Sequence, residues 1–206
     1  MTAAPHPART GILFLLSAPS GAGKSTLCNG LKATQDFVYS VSCTTRLPRP
    51  GEVNGRDYHF LSRDEFETRA TADEFLEHAE VHGNRYGTLR ETVLESLRRG
   101  IDVLMDIDTQ GAAMVRANAH PEIRDALVDI FLMPPSLEVL RERLASRGTE
   151  SGEETALRLR NAREEMREWS RYRYTILTGT VEETLADFRA IMRSERLLSR
   201  RLSFEL

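Results

Sequence analysis

The chain has 206 residues, of which 40% are hydrophobic and 29% are charged, and its formal net charge is -3. This length and apolar content can bury one core with small appended lobes. The weakly acidic balance gives no global positive field, and no apolar run reaches membrane-spanning length, so we expect neither a nucleic-acid nor a membrane partner. Two cysteines, Cys28 and Cys43, form no C-x-x-C pair, which is typical of a reducing cytosol and predicts a cytoplasmic protein.

In chain order, apolar runs alternate with helical patterns. Residues 1–10 carry alanine and proline without periodicity and predict a disordered tail. Strands are predicted at residues 12–17, 101–107, 127–133 and 174–178. Helices are predicted at residues 24–33, 109–118 and 136–147, and a last amphipathic helix is predicted to end near Arg200. This alternation predicts a parallel α/β sheet with right-handed crossovers.

Two polar segments interrupt the alternation. Residues 38–93 contain Asn54-Gly55, a strong signal for a two-residue hairpin turn, and Ser62 with Glu65, which form a capping box at the start of a short helix. Residues 143–165 are charged and have few core candidates, which predicts a mobile flap. The sequence thus predicts one core with two insertions.

The segment SAPSGAGKST, residues 17–26, has the pattern of a phosphate-binding loop between a strand and a helix, although Ala18 replaces its first glycine. Successive backbone N–H groups would surround an anion, Lys24 would reach the β- and γ-phosphates of ATP, and the Ser25 hydroxyl would ligate Mg²⁺. The alternative is a glycine-rich turn with an incidental lysine. The predicted phosphate-binding residues are Ser20, Gly21, Ala22, Gly23, Lys24, Ser25 and Thr26.

Two carboxylates follow the second apolar run. Asp106 and Asp108 lie at the carboxyl end of a predicted parallel strand, the end that faces the ligand crevice. Asp106 would hold Mg²⁺ through water. For Asp108 taken alone, capping of the next helix is the strong alternative.

Two arginines lie close together around Pro48. The guanidinium groups of Arg46 and Arg49 could each donate two hydrogen bonds to a phosphate, and Tyr58 would add a hydroxyl donor. The alternative is a pair of solvated surface arginines, which the spacing alone favours.

Five stretches occur in an order and at spacings that resemble the guanylate kinase family: SGAGKST, SVSCTTRLPRPGEVNGRDYHF, EFLEHAEVHGNRYGT, DIDTQG and RGTE. The resemblance covers roughly residues 11–177, and the middle three stretches are specific to this family. It implies a single domain with the α/β fold of P-loop nucleoside monophosphate kinases: a parallel five-stranded core sheet flanked by helices, an inserted mixed α/β lobe that binds GMP, and a small helical lid. The implied core comprises about residues 11–37, 94–140 and 166–206, the insertion about 38–93 and the lid about 141–165.

The resemblance also implies an activity, the Mg²⁺-dependent transfer of the γ-phosphate of the co-substrate ATP to GMP and dGMP. Residues matching the family's GMP-binding positions are Arg46, Arg49, Tyr58 and Tyr86 for the phosphate, Ser42, Glu77 and Thr88 for the guanine ring, and Asp108 close by. Residues matching its catalytic positions are Lys24, Arg143, Arg147 and Arg158. One carboxylate can accept from both N1–H and N2–H₂ of guanine, whereas AMP would leave Glu77 unpaired.

The chain departs from the family after the last predicted strand, where Thr178-Gly179-Thr180 replaces the usual Asn-Asp pair. This leaves the adenine pocket unassigned. Two other functions stay open: a phosphopeptide-binding scaffold domain without catalysis, and a P-loop kinase for another small acceptor. The intact Gly23, Lys24 and Ser25 favour an enzyme, and Glu77 favours guanine. The sequence does not determine the oligomeric state, and a homo-oligomer is compatible with it.

Overall fold

The computed structural model of the protein describes residues 8–32, 36–81, 83–118, 120–145 and 152–204. The strands in these residues are β1 (Ala8–Arg9), β2 (Leu13–Ser17), β3 (Val38–Tyr39), β4 (Cys43–Thr44), β5 (His59–Phe60), β6 (Phe75–Val81), β7 (Asn84–Leu89), β8 (Val103–Asp106), β9 (Leu127–Met133), β10 (Tyr174–Leu177) and β11 (Leu202–Ser203). The helices are α1 (Lys24–Lys32), α2 (Arg63–Thr71), α3 (Arg90–Arg98), α4 (Thr109–Ala117), α5 (Pro121–Ala126), α6 (Leu137–Ala145), α7 (Gly152–Arg167) and α8 (Val181–Arg196). None of these helices combines the length and apolar content needed to cross a bilayer.

Five parallel strands form the core sheet in the order β10-β9-β2-β8-β3, which confirms the predicted α/β architecture. The central strand β2 is buried along its whole length, as expected for an apolar run covered on both faces. Phe14 and Leu16 pack with residues of α1 and α8 on one face. Leu13 and Leu15 pack with residues of α3, α4 and α5 on the other. The carboxyl ends of β2 and β8 therefore meet at one edge, between the helices.

A second sheet has the order β5-β4-β7-β6 and packs its small apolar core against α2. The capping box of Ser62 and Glu65 at the start of α2 is confirmed. The hairpin predicted at Asn54-Gly55 is wrong, because β5 returns parallel to β4. The Asn54 side chain accepts a hydrogen bond from the backbone of Phe60 at 2.9 Å, which stabilises a wider loop than a two-residue turn.

Three predicted boundaries differ from the structure. Residues 8–10 belong to the fold, because β1 pairs with β11, whereas residues 1–7 of the predicted disordered tail lie outside the described residues. The strand β3, predicted in the insertion, pairs with β8 in the core sheet. The last helix ends at Arg196, before the predicted Arg200, and a short 3₁₀ turn follows it.

The segment predicted as a flap contains parts of two helices. Helices α6 and α7 pack through a small cluster that includes Leu140, Leu144 and Ala162. Residues 146–151, which connect them, lie outside the described residues, and so does Arg147. This helix pair contacts the turn between β2 and α1, since a Cβ atom placed on Gly21 would lie 3.1 Å from the side chain of Leu140.

Candidate active site

The turn between β2 and α1 has the backbone of an anion-binding loop. Gly21 and Gly23 have φ angles of 87° and 100°, a left-handed region that favours glycine. Helix α1 begins at Lys24, so the N–H groups of its first turn have no acceptor within the helix. Ala18 has no positive φ angle and is buried in the core cluster. A methyl group is therefore tolerated at the position where the motif usually has glycine.

Lys24 lies at the carboxyl end of the core sheet, next to Asp106. Its Nζ is 2.6 Å from Asp106 Oδ1 and donates to the carbonyl of Ile107 at 3.0 Å. The Ser25 side chain lies at an exposed position at the start of α1. The loop, its lysine and the carboxylate predicted from the sequence are thus brought together at one edge of the sheet.

A buried carboxylate lies on the second sheet. Glu77 on β6 is 7% exposed and accepts a hydrogen bond at Oε1 from the Thr88 hydroxyl, 2.8 Å away. The Ser42 hydroxyl is 3.5 Å from that of Thr88. Burial raises the pKa of Glu77, the nearby Asp108 carboxylate raises it further, and the Thr88 bonds oppose the shift. Ser42, Glu77 and Thr88, which are predicted to contact the guanine ring, therefore form one cluster. The Glu77 carboxylate within it is largely removed from solvent.

Asp108 borders this cluster and also caps α4. Its Oδ1 accepts from the backbone N–H of Gly111 at 2.8 Å, so the capping alternative for Asp108 is observed. A Cβ atom on Gly111 would lie 3.4 Å from Glu77 Oε2. The start of α4 therefore lies directly beside the second carboxylate oxygen of Glu77.

Arg46 belongs to an organised cluster. Its guanidinium donates to both oxygens of Glu52 at 2.9 Å and lies 5.3 Å from the ring centre of Tyr58. The backbone N–H of Arg49 donates to the same Glu52 at 2.7 Å. These bonds hold the pKa of Glu52 down, to about 2. The ring of Tyr86 lies 6.1 Å from that of Tyr58, so the predicted phosphate-binding side chains Arg46, Tyr58 and Tyr86 lie together.

Sequence reasoning missed Glu52 and Glu165. Glu52 organises the turn around Pro48, and only its nearness to Arg46 in the chain signalled this role. Glu165 on α7 is half-buried and accepts from the backbone N–H of Ser20 in the loop at 3.3 Å. Burial raises the pKa of Glu165. No local pattern distinguishes Glu165 from the other glutamates of this charged helix.

Of the arginines predicted in the lid, Arg143 lies against the loop and donates to the Ala22 carbonyl at 3.3 Å. Arg158 lies at an exposed position on α7. The third, Arg147, lies outside the described residues.

Two cavities lie on either side of α1. The first has a volume of 210 Å³, and its lining includes Ser42, Tyr58, Thr88 and Asp106. It therefore connects the Glu77 cluster with the carboxylate that pairs with Lys24.

The second cavity, of 310 Å³, is called here the donor-side cavity. It lies between the loop and the connection from β10 to α8. Its lining residues are Gly21, Ala22, Gly23, Thr26, Leu27, Arg143, Thr178, Gly179, Thr180, Val181 and Thr184.

Residues 10–195 match the sequence model of the guanylate kinase family. The chain belongs to the guanylate kinase family. It is 46% identical to the guanylate kinase of Sphingopyxis alaskensis, over 95% of this chain and 88% of the relative. It is 48% identical to the guanylate kinase of Symbiobacterium thermophilum, over 90% of this chain and 86% of the relative. The crystal structure of guanylate kinase from Anaplasma phagocytophilum is 34% identical, with a TM-score of 0.72 over 95% of this chain and 92% of that one.

Membership of the guanylate kinase family confirms the resemblance drawn from the five sequence stretches. The departure from the family's pattern at Thr178-Gly179-Thr180 falls on the wall of the donor-side cavity. Thr180 caps the start of α8 there and forms a second capping box. The Glu183 carboxylate accepts from the Thr180 backbone N–H, and the Thr180 hydroxyl accepts from the Glu183 backbone N–H. The departure from the family that was predicted from the sequence therefore falls at this part of the site.

Proposed function

We propose that the protein transfers the γ-phosphate of ATP to GMP, giving ADP and GDP. The observation that carries this proposal is the buried Glu77 carboxylate held by Thr88, beside a cavity that reaches Asp106, the carboxylate that pairs with Lys24 of the phosphate loop. A site of this kind can bind a guanine base at one end and present its phosphate at the other.

Guanine is selected because its N1–H and N2–H₂ donors lie side by side. Both can donate to Glu77, while the Ser42 hydroxyl donates to O6 and the Thr88 hydroxyl keeps its hydrogen bond to Glu77. AMP has no such pair of donors, so its binding would leave unpaired the acceptor positions of the buried carboxylate that Thr88 does not use, and buried polar groups left unpaired discriminate strongly. dGMP presents the same base and phosphate, and we include it as an acceptor.

The GMP phosphate would bind Arg46 and Arg49, with the Tyr58 and Tyr86 hydroxyls as further donors. Glu52 holds Arg46 against the ring of Tyr58. Bonds within the fold thus orient the guanidinium, which reduces the ordering cost that GMP would otherwise carry.

The triphosphate of ATP would lie on the loop from Ser20 to Thr26, with Lys24 reaching the β- and γ-phosphates. The donor set of Ser25 and Asp106 fits Mg²⁺, because hydroxyl, carboxylate, water and phosphate oxygens are its preferred ligands. Ser25 would bind the ion directly and Asp106 through water. When bound, the ion supplies positive charge that offsets the charge on the phosphates.

In the reaction, an oxygen of the GMP phosphate attacks the γ-phosphorus, and the bond from that phosphorus to the β-γ bridging oxygen breaks. The attacking group is already an anion, so little base catalysis is needed. Lys24 and the arginines Arg143, Arg147 and Arg158 would stabilise the charge on the transferring group. The contact of α6 and α7 with the loop would help to exclude water, which otherwise hydrolyses ATP.

A cytoplasmic location belongs to the same proposal. Both cysteines in the chain, Cys28 and Cys43, are free and buried. Free thiols suit a reducing compartment, where ATP and GMP are also available.

The test is ADP formation from ATP with GMP, dGMP, AMP and UMP as alternative acceptors. We expect turnover with GMP and dGMP and at least about a thousandfold lower kcat/KM with AMP. Absence of GMP-dependent ADP formation would refute the proposal. GMP binding without turnover would instead favour a scaffold domain that has lost catalysis.

A further inference from the structure

Glu165 connects the last turn of α7 to the phosphate loop. Its carboxylate accepts a hydrogen bond from the backbone N–H of Ser20 at 3.3 Å. Burial raises the pKa of Glu165, the Ser20 N–H opposes that shift, and the charges of Asp108 and Lys24 also act on it. The carboxylate therefore lies within electrostatic range of residues that we assign to the acceptor and to the donor.

A second hydrogen bond connects helix α6 to the same loop. Arg143 on α6 donates to the Ala22 carbonyl at 3.3 Å. Gly21 lies between the two bonded loop residues, and a Cβ atom placed on it would lie 3.1 Å from the Leu140 side chain and 3.2 Å from that of Leu144. Both helices therefore contact one short stretch of loop backbone, and α6 fits closely against it.

The contact between α6 and α7 does not by itself fix how α7 is rotated about its axis. Leu159, Ala162 and Met166 form the apolar stripe of α7 that packs with α6. Attraction between apolar side chains has no preferred direction, whereas a hydrogen bond weakens steeply when its angle changes. The bond from Ser20 to Glu165 therefore adds a directional constraint that the stripe lacks.

Arg158 lies on the same face of α7 as Glu165. The two residues are seven positions apart, which is about two turns of an α-helix, and each directly precedes a residue of the apolar stripe. Asn161 lies between them on this face. Asn161 and Glu165 line a cavity of 590 Å³ that also borders Asp108. The rotation of α7 that places Glu165 on the loop therefore also turns the face carrying Arg158 toward the site.

We propose that Glu165 is a positioning residue, whose bond to the loop holds α7 in the rotation that directs Arg158 at the triphosphate. This inference rests on the proposed function, in which Arg158 stabilises charge on the transferring group. Without the bond, α7 would keep its packing with α6, but Arg158 would no longer be held in one direction. The loss would appear in the binding and turnover of the phosphate donor, and the affinity for GMP would be kept.

The test is a double-mutant cycle on the affinity for a non-hydrolysable ATP analogue with Mg²⁺, measured by calorimetry. Arg158→Ala should raise the dissociation constant about tenfold, and Glu165→Ala should raise it about fivefold. Because Glu165 acts through Arg158, the double variant should bind within about twofold of Arg158→Ala alone. The kcat with GMP should follow the same non-additive pattern, with the GMP dissociation constant changed less than about threefold.

Two matched variants separate the hydrogen bond from other effects. Glu165→Gln keeps an acceptor oxygen on a side chain of the same shape, so it should bind the analogue within about twofold of the wild type. Glu164→Ala is the control at the neighbouring position, where the carboxylate is exposed and pairs with Arg167 of the same helix. It should leave the affinity for the analogue unchanged. A Gln variant as weak as the Ala variant would overturn the inference, because the charge of Glu165 would then matter and not its bond.

Hydrogen exchange of the Ser20 amide, followed by NMR, tests the bond without any nucleotide. The exchange should be at least about threefold faster in Glu165→Ala than in the wild type. It should be unchanged in Glu165→Gln and in Glu164→Ala. Equal exchange in Glu165→Ala and the wild type would show that the bond does not hold the loop, and would overturn the inference.

The outcomes separate this inference from the proposed function. The inference fails, and the proposed function stands, if the effects of the two substitutions multiply in the cycle or if either single variant binds the analogue as the wild type does. Absence of GMP-dependent turnover would overturn the proposed function, and the cycle on binding would still decide the inference. A wild type that does not bind the analogue would overturn both.

Discussion

The Thr88 hydroxyl donates a hydrogen bond to Glu77 Oε1 across 2.8 Å, and both side chains are buried. This bond fixes the orientation of the carboxylate. Because Thr88 uses only part of the acceptor capacity of the carboxylate, other acceptor positions remain for a ligand. Thr88 therefore holds the buried Glu77 carboxylate in one orientation, and that orientation decides where a ligand must place its donors.

Replacing Glu77 by glutamine should erode the preference for GMP. The amide keeps one acceptor oxygen but presents an NH₂ group where a guanine donor would lie. We expect kcat/KM for GMP to fall about ten- to a hundredfold and the ratio of GMP to AMP to fall with it. Steady-state assays with both acceptors measure this. Glu80→Gln on the exposed part of the same strand is the control, and a GMP-to-AMP ratio equal to the control's would exclude Glu77 from guanine recognition.

The affinity for GMP should depend on the ionisation of Glu77. Burial raises the pKa of Glu77 in the ligand-free fold, and guanine requires the carboxylate, so GMP affinity should rise as the pH rises through that pKa. The contribution of Glu77 to the free energy of unfolding without ligand changes with pH in the opposite direction. A raised pKa means that the native state holds the proton more tightly, so this contribution is present at low pH and lost as the pH rises through the raised pKa.

The GMP phosphate also titrates in the mildly acidic range, so the informative quantity is the difference between two proteins. Calorimetric titrations with GMP at several pH values would compare the wild type with Glu77→Gln. The wild type should show a steeper loss of affinity toward low pH than the variant. Parallel curves would mean that Glu77 does not titrate in this range or does not contact the base.

Replacing Lys24 by methionine should remove nearly all turnover and largely keep GMP binding. Lys24 Nζ lies 2.6 Å from Asp106 and is proposed to stabilise charge on the transferring phosphate. We expect kcat to fall about a hundred- to a thousandfold, with the GMP dissociation constant changed less than about threefold. Arg193→Met, at an exposed position of α8 that lines neither cavity, serves as the control. A Lys24→Met variant that keeps the kcat of the wild type would rule out this role for the lysine.

The core sheet and the loop could be predicted because their signals are local. A continuous apolar run such as residues 13–17 identifies a buried strand, and the loop pattern follows it directly. The parallel return of β5 could not be predicted in this way. It depends on the Asn54 side chain accepting a hydrogen bond from the Phe60 backbone, and on β5 pairing with the edge of β4 opposite to β7.

The candidate site shows the same division between local and distant signals. The predicted cluster of Ser42, Glu77 and Thr88 was implied by family resemblance, since these residues are far apart in the chain and no period connects them. Glu165 contacts the loop residue Ser20 across 145 positions of sequence. The sequence shows that α7 is charged, but the packing of that helix decides which of its glutamates reaches the loop.

Asp102 connects both ends of the described chain to the core sheet, and its replacement by asparagine should destabilise the fold. The side chain is 1% exposed, and its Oδ1 accepts from the Ile12 backbone at 2.9 Å. It also pairs with Arg9 near the amino end and with Arg196 of the last helix. Both arginines are about one-quarter exposed, so solvent screens part of the interaction.

We expect Asp102→Asn to lower the free energy of unfolding by about 2–3 kcal/mol, below the range for a fully buried pair. For a chain of this size, that loss corresponds to a fall of roughly 4–12 °C in melting temperature. Urea denaturation followed by circular dichroism measures it. Asp125→Asn, at an exposed position of α5, is the control and should change the free energy by less than about 0.5 kcal/mol. If the two variants unfold at the same urea concentration, Asp102 does not stabilise the fold through these pairs.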